Sequence, residues 1–140
     1  MLIIHIFFLY VNPHLKFISS YYRLTTALKS VKIYHIQTIG ESSLMKIKKY
    51  TVYTEQKGTD LTLACVSDLH ARPYDKVIAA VKKIKPDAIL LPGDIVEIAA
   101  EYMNERNQNG LNFLKEASKI APCYYTYGNH EIYFSHLHLV

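Results

Sequence analysis

Three short clusters in this 140-residue chain combine side chains that bind cations: Ser67-Asp68-Leu69-His70, Gly93-Asp94 and Gly128-Asn129-His130-Glu131. A hard or borderline divalent cation takes carboxylate oxygen and neutral imidazole, and an Asn oxygen serves where anionic charge must be limited. Asp68, His70, Asp94 and Asn129 supply that set. Each cluster alone is ordinary turn chemistry. What raises them above it is a common position, just past the end of a short apolar run. Gly93 and Gly128 allow the chain to turn sharply there and let a metal or substrate approach the backbone.

The elements that position the clusters follow from hydrophobic periodicity. Leu61–Val66, Asp87–Pro92 and Cys123–Tyr127 are short apolar runs of the kind found in strands buried on both faces. Between the first two, Val77, Ile78, Val81 and Ile84 recur at helical spacing, with Lys82, Lys83 and Lys85 in the last turn and Pro86 as the stop. Leu111, Phe113, Leu114, Ala117 and Ile120 predict a second helix, closed by Pro122. The alternation of strand and helix predicts an α/β fold with a parallel β-α-β-α-β core and right-handed crossovers. All three clusters then fall on the C-terminal edge of one sheet, where open α/β sheets place their ligands.

The ordered blocks Asp68-x-His70, Gly93-Asp94-x-x-Glu97 and Gly128-Asn129-His130-Glu131 resemble the signature of the calcineurin-like metallophosphoesterase superfamily, over roughly residues 46–134. The resemblance implies a hydrolase in which Asp68 and His70 bind one divalent metal, Asp94 bridges two, and Asn129 binds the second. His130 would not ligate; it would face the phosphate as the catalytic imidazole, stabilising charge or protonating the leaving oxygen. A bridging hydroxide would attack phosphorus in line, cleaving a phosphomonoester or a phosphodiester, without a covalent intermediate. The two cations could be manganese, iron, zinc or magnesium. Two readings stand for Glu97, a carboxylate that orients His130 or a solvated group at a helix start. Two also stand for Arg72, a substrate phosphate contact or an exposed side chain. Glu131 is read as structural or as a support behind the site. No G-x-x-x-x-G-K-[ST] loop and no G-x-S-x-G elbow is present.

The departures from the family pattern are large. Its later His and G-H-x-H motifs have no counterpart before Val140, and His136-Leu137-His138 lacks the preceding Gly and reads as a terminal surface pair. The expectation is therefore the N-terminal half of a metallophosphoesterase α/β sandwich, with a sheet face left open for self-association. Its non-catalytic alternative is a truncated metal-binding or interaction fragment.

Residues 1–44 are read as an N-terminal extension and residues 45–140 as the partial domain, with an alternating run from Lys46 leading in. Met1–Val11 is apolar but shorter than the 18 or more residues of a confident membrane span. With Lys16 and Arg23 on its flank, the segment 1–23 could meet a membrane surface, which tilts the substrate towards a membrane-proximal one and leaves cytoplasmic and membrane-associated locations both open. Residues 1–50 carry seven Lys/Arg and one acidic residue, against nine and eleven in the remainder. The basic residues are too dispersed to argue for nucleic acid. Cys65 and Cys123 lie in apolar stretches without a C-x-x-C and are read as reduced, buried thiols.

Overall fold

A computed structural model describes residues 28–39, 44–53, 55, 57–97 and 105–131. Met1–Val11, the rest of the 1–23 segment, Gly40–Ser43 and the His136/His138 pair lie outside the described residues. The elements are β1 (Leu28–Ile39), β2 (Leu44–Tyr53), β3 (Thr59–Ser67), α1 (Asp75–Ile84), β4 (Ala88–Leu91), α2 (Glu105–Ser118) and β5 (Cys123–Tyr125).

They form a five-stranded sheet in the order β2-β1-β3-β4-β5. β1 is parallel to β3, β3 to β4 and β4 to β5, while β2 runs antiparallel at one edge. The expected α/β fold with its parallel β-α-β-α-β core is present. Successive crossovers of one hand in one direction along a sheet put their helices on one face. Val77, Ile78 and Val81 of α1 and Phe113 and Ala117 of α2 accordingly share one core with Ile36, Ala64, Val66, Ile89 and Leu91 of the strands. Asp75 in the first turn of α1 and Lys82 and Lys83 in the last complement the helix dipole.

Strand register places the other apolar side chains on the opposite face, where Ile33 pairs Leu63, Cys65 pairs Leu90, and Leu90 pairs Tyr124. Cys65 lies on this face and Cys123, the partner of Ile89, on the helix-covered one. Both thiols are free and half-buried rather than fully buried. Burial pushes the Cys65 thiol up and the Cys123 thiol up to about 11.

β1 falls where the sequence shows no sustained period. It is the longest described strand, hydrogen-bonded on both sides, and the boundary expected at 44/45 falls after the first residue of β2, which pairs with it. The reason is local. An interior strand need not alternate, and in β1 Lys32, His35 and Gln37 interrupt the apolar positions Val31, Ile33 and Ile36. Lys46, Lys48 and Lys49 mark β2, whose position at the sheet edge favours charge. No helix among the described residues is long and apolar enough to cross a membrane.

Ile36 is fully buried and Leu44 is 63% exposed. Ile36→Ala should destabilise the protein by about 2–5 kcal/mol, and Leu44→Ala by less than about 0.5 kcal/mol. Equal urea midpoints for the two variants would mean that β1 does not belong to the cooperative unit.

Candidate metal centre

Two of the rim turns adopt backbone that non-glycine residues avoid. Asp68, His70, Ala71 and Asp94 have φ of 56°, 51°, 52° and 55°. Each costs on the order of 1–3 kcal/mol and persists only where neighbours dictate it. The neighbours are specific. His70 N–H donates to Asp94 O at 2.9 Å and Ala71 N–H to Ile95 O at 2.8 Å, which joins the turn after β3 to the turn after β4. Asn109 Nδ2, on α2, donates to Ala71 O at 3.2 Å. From the end of β1, Thr38 Oγ1 donates to Asp68 O at 2.7 Å and Gln37 Nε2 to Asp68 Oδ2 at 3.4 Å.

The turn after β4 is joined as closely to the one after β5. Gly93 has φ +112°, and a Cβ there would overlap the backbone of Gly128; a Cβ on Gly128 would overlap the Asp94 carboxylate. With both side chains absent, Asp94 Oδ1 accepts the His130 N–H at 3.0 Å. Beneath this contact sits Glu131, 5% exposed. Its Oε2 accepts the N–H groups of Asp94 and Gly128, each at 2.8 Å, and its Oε1 those of Ile95 at 2.7 Å and Val96 at 3.3 Å. Burial works to raise the Glu131 carboxyl, but the Tyr125 hydroxyl and the Asp94, Ile95 and Gly128 amides outweigh it and hold the group below its ordinary value. Burial, followed by the charge of Glu131, pushes the Tyr125 hydroxyl up.

The side chains of the first two clusters converge on this frame. Ligand atoms of Asp68, His70 and Asp94 lie within 4.8 Å of one another, and so do those of His70, Glu97 and His130. His70 Nε2 is 4.0 Å from Asp68 Oδ1, while its Nδ1 is 3.7 Å from Glu97 Oε2. His130 Nδ1 is 3.0 Å from Glu97 Oε1, and the two imidazole rings meet edge to face at 4.4 Å. Glu97 is thus against His130, its side chain 18% exposed, and is not a solvated carboxylate. Asn129 is exposed and opens the helical turn over residues 129–131, directly after Gly128. Arg72 is half-buried, and its Nη1 donates to Thr38 Oγ1 at 3.2 Å.

Two carboxylates and an imidazole around one point are a mixed oxygen and nitrogen donor set that suits a divalent cation. His70 Nδ1 is buried without a hydrogen-bond partner. A ligating imidazole uses one nitrogen for the metal and needs an acceptor for the other, and Glu97 stands on that side of the ring. The residues present therefore fit a cation.

Sequence reasoning missed Gln37 and Thr38; Glu131, read as structural or as a support behind the site, stands behind it. The first two became visible only when β1 was placed beside β3. Glu131 carried a signal, the fourth position of Gly128-Asn129-His130-Glu131, but not the direction in which its carboxylate turns.

A family model described as calcineurin-like phosphoesterase matches residues 61–139, more than half of the chain, from β3 to beyond the third cluster. No curated protein and no solved structure matches the chain.

Because the Glu131 carboxyl is held below its ordinary 4.5, its stabilising effect is complete above that pH and lost as pH falls through the lowered folded value. Glu131→Gln keeps the shape but removes the charge that four amides face. It should cost about 2–3 kcal/mol at neutral pH, and urea midpoints of variant and wild type should converge on acidification below 4.5. A gap independent of pH would assign the loss to packing.

Proposed function

This chain belongs to the calcineurin-like phosphoesterases, metal-dependent hydrolases of phosphate esters, and from that membership we propose that Asp68, His70, Asp94 and Asn129 hold two divalent cations and that His130 is the catalytic imidazole. The observation that carries this reading is the convergence of Asp68, His70 and Asp94 within 4.8 Å on the same rim where Glu97 grips His130 at 3.0 Å. Cations held there would neutralise phosphate oxygens and bring the ionisation of water towards neutral pH.

The chain's own residues do the rest. Asp94 offers carboxylate oxygen while its Oδ1 also fixes the His130 amide, so the cation-binding and imidazole-bearing turns keep a constant separation. His70 presents Nε2 on the Asp68 side. Glu97 accepts from His130 Nδ1 and turns Nε2 towards the ester, where the ring in its doubly protonated form would give its Nε2 proton to the leaving oxygen and be left as the neutral Nδ1–H tautomer. Arg72, tied to Thr38, braces the Asp68 turn from behind, since Thr38 is also the donor to Asp68 O. That bond supports the reading of Arg72 as a brace for this turn, and the second reading, contact with substrate phosphate, stands beside it. Substrate class remains the phosphate ester, monoester or diester.

Hydrolysis of bis-p-nitrophenyl phosphate with added manganese tests the reading. Chelation should abolish turnover and manganese should restore it; Asp94→Asn should bring it to background. His130→Ala should lower kcat by roughly 10²- to 10⁴-fold with manganese affinity retained. A folded wild-type chain that binds manganese without hydrolysing the ester would support the non-catalytic metal-binding alternative.

A further inference from the structure

One carboxylate stands between two imidazoles. Glu97 presents Oε1 to His130 Nδ1 at 3.0 Å and Oε2 to His70 Nδ1 at 3.7 Å, and the rings themselves touch edge to face. The first contact is a hydrogen bond. The second is too long for one, yet His70 Nδ1 is buried with no other hydrogen-bond partner. A buried N–H has to find an acceptor or lose the hydration it gave up, and a carboxylate has acceptor sites on both oxygens.

We propose that Glu97 is a positioning residue for both histidines at once, fixing each in the tautomer with its proton on Nδ1, one per carboxylate oxygen. This rests on the proposed metallohydrolase reading and adds to it a link between the cation site and the catalytic imidazole. For His70 the consequence is a free lone pair on Nε2, the nitrogen beside Asp68. For His130 it is an Nε2 left for the ester. A cation on His70 Nε2 withdraws electron density from the ring and makes Nδ1–H a stronger donor to Glu97. The same carboxylate carries His130, so loading of the cation is felt at the second imidazole through a single side chain.

The competing arrangement is concrete. If the His70 proton sat on Nε2, it would face Asp68, and Nδ1 would present its lone pair to Glu97, an electrostatic conflict. A cation held among His70, Glu97 and His130, whose ligand atoms also lie within 4.8 Å, would likewise need both Nδ1 atoms unprotonated.

Long-range proton–nitrogen NMR of the full chain labelled with ¹⁵N-histidine decides among these. Spectra are recorded metal-free and assigned with His70→Asn and His130→Asn. Both rings should carry the proton on Nδ1. On zinc addition the His70 Nε2 resonance should shift while Nδ1 keeps its proton. Glu97→Gln, with one acceptor oxygen in place of two, should mix the His70 tautomers and raise the zinc Kd by about 10- to 100-fold. A wild-type His70 protonated on Nε2, or zinc displacing the Nδ1 protons, overturns the proposal, as does a Glu97→Gln chain with unchanged tautomers and zinc Kd. If the wild-type chain binds no zinc, the metallohydrolase reading fails while the metal-free tautomers still decide the role of Glu97.

Discussion

The candidate site depends on the close approach of two glycines. Gly93 and Gly128 lie so near that neither can carry a side chain, and the space they leave is taken by the Asp94 carboxylate. The approach brings together backbone N–H groups from two strands' ends, and these would repel one another without an acceptor between them. Glu131 is that acceptor, taking N–H groups from Asp94, Ile95, Val96 and Gly128. Glycine makes the contact sterically allowed and glutamate makes it electrostatically tolerable. Neither suffices alone, because unpaired buried amides cost about as much as the turns can spare.

The third turn is attached to this pair by backbone. His70 and Ala71 donate to the carbonyls of Asp94 and Ile95, an extension of strand-like pairing past the ends of β3 and β4. Four non-glycine residues at positive φ follow from it. In that conformation the chain turns tightly enough for Asp68 and His70, separated by one residue, to serve the same point. β1 supports the turn from the far side through Thr38 and Gln37. The site is therefore a property of four strand ends, of which three carry its chemistry and one holds it.

This explains which parts were legible in the sequence. β3, β4 and β5 are short apolar runs ending in polar turns, and their chemistry sits at fixed offsets from those ends; the pattern is local, so reading it needs no three-dimensional knowledge. The helix over 75–84 was equally plain, with Pro86 to stop it. β1 was illegible because its two faces both meet apolar neighbours while Lys32, His35 and Gln37 break the run, and its placement comes from pairing with β3 across 30 residues of chain. α2 starts at Glu105, ahead of its first apolar marker Leu111, because that turn is polar. For Glu97 the residue type allowed both a solvated and an imidazole-bound role, and only the distance of 3.0 Å separates them.

Four carboxylates within one rim raise a question of charge. Asp68, Asp94, Glu97 and Glu131 place four like charges close together. Their partners divide the problem. The charge of Glu131 is compensated by amide dipoles beneath the turns, and that of Glu97 lies against the two imidazoles. Asp68 and Asp94 accept from neutral donors, the Gln37 amide and the His130 N–H. Their ligand atoms share a point with that of His70. A site arranged in this way leaves the carboxylates of Asp68 and Asp94 beside His70, where a cation can neutralise them, while the oxygens of Glu131 are taken by the amides beneath.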